Sequence, residues 1–241
     1  MEIKDKVSVA MATYNGERFI KKQIDSILVN LKDNDELIIS DDGSNDNTIA
    51  IIEEYKDERI KLIKGPRKGV IKNFENAIKY ANGDIIFLAD QDDIWVENKV
   101  KKILNVFEGN EEVTLVIHDN KVFDSETNKI LIESFFKYRK SGSGIIKNII
   151  KNTYIGCCIA FKKELKPYLE NIPIDIEMHD QWIGVINEKK CGKSYFLPEC
   201  LLFYRRHQNN VSSMKRYPIM QIIRKRYKFI KNYLDYIYKS K

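Results

Sequence analysis

Apolar positions in the first ninety residues switch repeatedly between two periods. Lys6 to Thr13, KVSVAMAT, is a short β-branched-rich run that reads as a buried strand. From Gly16 to Leu31 the apolar residues are Phe19, Ile20, Ile24, Ile27, Leu28 and Leu31, a helical spacing. ELIIS (Glu36 to Ser40) is a second strand, and DDGSNDNT (Asp41 to Thr48) is a turn-and-cap cluster before a helix through Tyr55. IKLIKG is a third strand, GVIKNFENAIKYANG a helix closed by Gly83, and DIIFLAD a fourth strand. This alternation predicts βαβ units and a largely parallel sheet, which VTLVIHD (Val113 to Asp119) continues.

The second half is less regular. ESFFKYRKSGSGIIKNIIKN predicts a loop leading to a helix, IGCCIAFKK a strand, HDQWIGVINEKK a helix with an aromatic anchor, and KSYFLPECLLFYRRH one or two strands. In the tail, Ile219, Ile223, Tyr227, Ile230, Leu234 and Ile237 fall at spacings of four, four, three, four and three, one apolar helix stripe. The expected organisation is one domain over residues 1–214 and a basic amphipathic helix over residues 215–241.

Composition narrows the class. Hydrophobic residues make up 43% and charged residues 32% of 241, an ordinary globular balance. No run approaches the roughly 18 apolar residues of a membrane span, and MEIKDKVSVAMATYN does not read as a signal peptide. Cys157, Cys158, Cys191 and Cys200 fit no zinc spacing and read as reduced packing residues of a cytoplasmic protein. The net charge of +6 is uneven. Residues 215–241 hold nine Lys or Arg and one acid, leaving 32 basic against 34 acidic elsewhere. That argues against a chain-wide nucleic-acid role. It points the tail toward an anionic membrane surface, its own domain or a second subunit.

Ligands of an open parallel sheet bind beyond the carboxyl ends of its strands. The expected strand ends carry Thr13, Tyr14 and Asn15; then Asp41 and Asp42; then Lys64, Arg67, Lys68 and Gly69; then Asp90, Asp92 and Asp93. An aromatic, an acid pair, a basic loop and an acid cluster suit a base, a ribose, a diphosphate and a divalent cation. Each piece alone has a plainer reading: DDGSNDNT as a turn and cap, Tyr14 as packing, the acids as an ordinary loop. An EF-hand does not fit, because Ile94 and Trp95 follow the acids.

The ordered set SVAMATYNGERFIKKQIDSIL, IISDDGSNDNT and FLADQDDIW, with HDQW and YRRHQNNVS, resembles the family 2 glycosyltransferases and their rhamnosyltransferase-like bacterial branch over residues 6–213. The resemblance implies a GT-A-type, Rossmann-like, mostly parallel α/β sheet flanked by helices. It implies inverting transfer from a nucleoside-diphosphate sugar (dTDP-rhamnose or a UDP-sugar) to a glycan or lipid-linked glycan hydroxyl, with Mn²⁺ or Mg²⁺. By it, Thr13, Tyr14 and Asn15 line the base pocket and Asp41 bonds the pyrimidine N3–H. Gly69 and Asn73 lie beneath the nucleotide, Asp90 meets the ribose or a metal-bound water, and Asp92 and His207 hold the metal. Asp180 is then the catalytic base, though a helix N-cap is its plainer reading. Asp42 and Arg67 stand with the nucleotide group. On the sugar and acceptor side stand Asp93, Trp95, His118, His179 and Trp182, the last as core anchor or sugar platform. A nucleotidyltransferase, or a non-catalytic nucleotide-binding partner, are the competing readings.

Overall fold

A computed structural model of the chain describes residues 5–208, 210 and 217–239. Its elements run β1 (Val7–Thr13), α1 (Ile20–Leu28), β2 (Glu36–Asp41), α2 (Thr48–Glu53), β3 (Ile60–Lys64), α3 (Val70–Tyr80), β4 (Ile85–Asp90) and β5 (Ile94–Trp95). There follow α4 (Lys99–Gly109), β6 (Val113–Asp124), β7 (Ile130–Ile132), α5 (Phe135–Arg139), α6 (Ile145–Ile150), β8 (Ile159–Lys162), α7 (His179–Lys190), β9 (Lys193–Arg206) and α8 (Ile219–Lys239).

The first half follows the pattern. β3, β2, β1 and β4 pair in parallel in that order, with Thr13 opposite Asp41 and Ala12 opposite Asp90. The polar residues after these strands therefore meet along one edge. β1 is buried at every position because strands flank it on both sides and helices cover its faces. On α1, Ile20, Gln23, Ile24 and Ile27 face the core, and each buried isoleucine contributes about 1.5–3 kcal/mol. Gly83 lets the chain pass close to β1, where a Cβ would lie 2.5 Å from the Ser8 nitrogen.

The second half departs from a parallel sheet. β8 runs antiparallel between β4 and β6, β6 and β9 pair in parallel, and β5 closes the far edge antiparallel to β9. β6 does not end at Asp119 but continues to Asp124, so His118 and Asp119 lie within a buried strand.

α8 docks on the domain, and Phe229 joins the core. The buried face is not the stripe expected from spacing. Phe229, Tyr233 and Tyr236 turn inward, with Phe229 and Tyr236 edge-on to Trp182 at centroid distances of 5.8 and 5.4 Å. Lys225 and Arg226 pair with Glu177. Three aromatics and an ion-paired edge outcompete the aliphatic stripe, which stays exposed at Ile219, Ile223, Tyr227, Ile230 and Leu234. The expected boundary at 214/215 falls outside the described residues.

Candidate active site

The carboxyl ends of β1, β2 and β4 frame a cleft of about 1350 Å³. Thr13, Tyr14, Asn15, Arg18 and Phe19 line one wall, Asp42, Ser44, Arg67, Gly69 and Asn73 another, and Asp90, Gln91, Asp92, His207 and Asn210 the floor and far side.

Two side chains missed from sequence hold this edge together. Gln91 takes the Thr13 hydroxyl at 2.5 Å and the Tyr14 N–H at 2.9 Å on its Oε1, and its Nε2 donates to the Tyr14 carbonyl. Gln23 donates from α1 to the Asp90 carbonyl at 2.8 Å. A glutamine on an otherwise apolar helix face was the available signal. Tyr14 is left half exposed with its ring free to stack.

Asn73 binds the carbonyls of Thr13 and Ser40, tying the ends of β1 and β2. Asp42 accepts the backbone N–H groups of Lys68 and Gly69, and so joins the second loop to the third. Gly69 has a φ of +83° and open space where a Cβ would stand, so the backbone there faces the cleft bare. Asp41 departs from expectation. Its carboxylate turns into the loop, accepting the N–H groups of Gly43 and Ser44 and the Ser44 hydroxyl at 2.9–3.0 and 2.5 Å. Ser44 and Asp42 face the cleft in its place.

The three aspartates after β4 part company. Asp92 reaches the cleft, where its Oδ2 lies 2.6 Å from His207 Nε2 and 3.2 Å from Asn210 Nδ2. A carboxylate oxygen and an imidazole nitrogen converging on a solvent-open cleft fit Mn²⁺, or Mg²⁺ shared with phosphate oxygens. Asp90 stands between cleft and core. Burial and the charges of Asp92 and Asp180 push its carboxyl up to about 8. Asp93 is fully buried and accepts the Arg205 N–H at 3.0 Å. Burial, then the charges of Asp92 and Asp90, raise its carboxyl well above the usual range.

Arg205 is the positive group the sequence did not announce. Its Nε donates to the Asp92 carbonyl at 2.7 Å, and its guanidinium lies 4.8 and 4.7 Å from the ring centres of Phe19 and Phe123. Lys99, buried over the Trp95 ring at 3.7 Å, donates to the Cys157 carbonyl, and burial lowers its ammonium to about 8. Asp90, Asp93 and Cys157 bring ligand atoms within 4.8 Å of one another. Burial holds both the Asp93 carboxyl and the Cys157 thiol up, which disfavours the charged forms that a cation needs, so the cleft-facing pair suits a cation better.

Asp180 sits in the first turn of α7. Met178 takes the N-cap place without a side-chain cap bond, so Asp180 is not the cap. Its Oδ1 accepts Asn152 Nδ2 at 3.0 Å and the Gln181 N–H at 2.5 Å. Burial is the main cause that lifts its carboxyl to about 7. Such a group can take a proton near neutral pH.

Five expected sugar- or acceptor-side residues are corrected by burial. Asp93 is held as described above. Trp95 packs against Phe87 and Lys99. His118 lies in mid-strand with its Nδ1 on the Asp119 carbonyl. His179 stacks on Phe74 at 4.0 Å, with burial lowering its imidazole to about 3. Trp182 is the core anchor against α8 rather than a platform.

The strand order is that of a GT-A-type fold, with the cleft and its acids at the carboxyl ends of the parallel strands. The sequence pattern described as "Glycosyl transferase family 2" matches residues 8–168, and the chain belongs to that family. It is 30% identical to the Escherichia coli UDP-Glc:alpha-D-GlcNAc-diphosphoundecaprenol beta-1,3-glucosyltransferase WfgD, over 87% of this chain and 80% of that one. It is 28% identical to the Shigella flexneri dTDP-rhamnosyl transferase RfbG, over 90% and 80%. Among solved structures, S. aureus TarS 1-349 in complex with UDP-GlcNAc superposes with a TM-score of 0.72 at 18% identity, over 91% of this chain and 64% of that one. The Pyrobaculum calidifontis mannosyltransferase PcManGT with GDP-Man and Mn2+ gives 0.66 at 18%, over 86% and 58%. The chain thus spans about three fifths of these solved chains, and they bear on its fold alone.

Proposed function

We propose that the protein transfers a sugar, with inversion, from a pyrimidine nucleoside-diphosphate sugar to a hydroxyl of a lipid-linked glycan in cell-surface polysaccharide synthesis. One observation carries this reading: the Asp92–His207 pair lines the cleft, and Asp90, on the same cleft, is close enough to the buried Asp180 for the two charges to interact. Tyr14 stacks on the base, with Thr13 and Asn15 beside it. Asp42, Asp90 and the bare backbone at Gly69 meet the ribose side, and Arg67 meets phosphate. Asp92 and His207 hold Mn²⁺ or Mg²⁺, which when bound offsets charge on the leaving diphosphate.

Asn152 and the Gln181 N–H orient the Asp180 carboxylate. The acceptor hydroxyl gives its proton to Asp180 as its oxygen bonds the anomeric carbon. The bond from that carbon to the diphosphate breaks on the opposite face, and the nucleoside diphosphate leaves with the electron pair. A single displacement of this kind inverts the configuration.

The curated relatives include a UDP-glucose and a dTDP-rhamnose enzyme, so both donors belong in the first assay. A cytoplasmic placement on the inner membrane face fits a diphosphoundecaprenol-linked acceptor of the kind the first relative's name states. The test is transfer from dTDP-rhamnose, UDP-glucose and UDP-N-acetylglucosamine to a lipid-linked acceptor with Mn²⁺, reading product and anomeric configuration. Metal-dependent transfer with inversion supports the reading. Retention of configuration, or no binding of any pyrimidine diphosphate by folded protein, would falsify it.

A further inference from the structure

The exposed stripe of α8 is continued by α6. Ile146 and Ile150, one turn apart on α6, are 75% and 66% exposed. Arg226 Nε donates to the Ile150 carbonyl at 2.8 Å, which sets α6 beside the edge of the stripe. On α8, Ile223 and Tyr227 are 55% and 67% exposed, and Ile219, Ile230 and Leu234 extend the row. At about 100° per residue, Arg224 and Lys231 flank this row on one side and Arg226 on the other.

The charge around these apolar residues is predominantly positive, although Lys225 and Arg226 are paired with Glu177 and Lys228 with Asp175. Residues 137–151 hold five basic residues and no acid, and residues 217–239 hold six and one. Pairing two copies through this face would set basic rims against each other, which opposes a symmetric dimer. An apolar row with a cationic rim complements a surface that offers anionic headgroups over acyl chains.

The face also has a fixed relation to the cleft. Asn152, two residues beyond Ile150, donates to Asp180. Glu177, held by Lys225 and Arg226, precedes Met178 of the cleft wall. α8 is therefore pinned to the two segments that carry and orient Asp180.

We propose that the α6–α8 face seats the protein on an anionic phospholipid bilayer, placing the Met178 wall of the cleft, next to Asp180, beside the headgroups. The second half of this statement rests on Asp180 being the acceptor end; docking itself needs neither donor nor acceptor.

The test is flotation of the full chain with vesicles of phosphatidylcholine alone, and of phosphatidylcholine with about one-third phosphatidylglycerol. The expected result is binding to the anionic vesicles, weakened about tenfold or more without the anionic lipid. Two double variants, Ile150→Asp with Ile223→Asp and Arg224→Glu with Lys231→Glu, are each expected to lose about tenfold or more of that binding. Circular dichroism and nucleotide binding should stay unchanged in both, since all four side chains lie outside the core. Failure of the protein to bind anionic vesicles, equal binding to neutral ones, or full binding by both double variants would overturn the proposal. So would a dimer in solution that the same substitutions dissolve. Nucleotide binding measured alongside separates a failure of docking from a failure of the transferase reading.

Discussion

Asp92 and Asp93 are neighbours in sequence and opposites in setting. Asp92 faces a cleft with His207 and Asn210 at hydrogen-bond distance. Asp93 faces the core, its carboxyl raised by burial and accepting the Arg205 N–H. Asp92 lies in the bend after β4 and Asp93 directly before β5, so one acid serves the cleft and the next the fold. A similar division runs through α7, where burial raises the Asp180 carboxyl to about 7 and Trp182 anchors α8. Three acids in four residues therefore do not amount to three negative charges awaiting a cation. Burial disfavours the charge on Asp93, and Arg205 braces the loop from behind.

Substitutions should separate the two sides. The largest effect is expected for Asp180→Asn, a loss of about 10⁴ in kcat, the upper end for a removed general base. Donor binding should be unchanged by calorimetry. Asp92→Asn should cost about 10²–10³ in kcat and remove the metal dependence of nucleoside-diphosphate binding. On the core side, Trp182→Ala should lower unfolding stability by about 3 kcal/mol in urea titration. The KM for acceptor should hold at temperatures where the variant stays folded. A platform role for Trp182 would show the reverse.

The pH dependence sharpens the contrast. Asp180 works as a base only when deprotonated, so the rate should rise with pH through about 7. Stability should move the other way. A carboxyl raised from 3.8 to about 7 contributes stability that is fully present below pH ~4. That contribution is lost as pH rises through 7. Between about pH 4 and 7 the metal-free protein should lose stability relative to its Asp180→Asn variant, by about 1.4 kcal/mol for each pH unit crossed. The smallest effect is expected for Asp93→Asn. Burial already disfavours the charged form of that carboxyl, so activity near neutral pH should change less than about threefold.

The parallel half of the fold was legible because each strand and helix keeps one period, and the strand-end rule then gathers the cleft. Thr13, Tyr14, Asn15, Asp42, Arg67, Gly69, Asn73, Asp90, Asp92 and His207 do line it. The antiparallel insertion of β8 was not legible, because IGCCIAFKK pairs with partners distant in sequence. Facing was also hidden. A run such as DQDDIW carries no period long enough to say which side chain turns inward; burial reversed the reading of Asp93, Trp95 and His118, and for His179 and Trp182 it selected packing over a sugar-side role. On α8, spacing located an apolar stripe, but three aromatics on the adjoining face hold the helix to the body. Arg205 and Gln91 escaped notice because their partners are backbone groups and loops far along the chain.

The most direct test of the division at the loop after β4 is calorimetric titration of UDP and dTDP, with and without Mn²⁺, into the native protein and its Asp92→Asn and Asp93→Asn variants. The account predicts metal-dependent binding of a pyrimidine diphosphate by the native protein and by Asp93→Asn, and loss of the metal dependence in Asp92→Asn. Metal-dependent binding that survives in Asp92→Asn and vanishes in Asp93→Asn would place the cation in the inner group and contradict it.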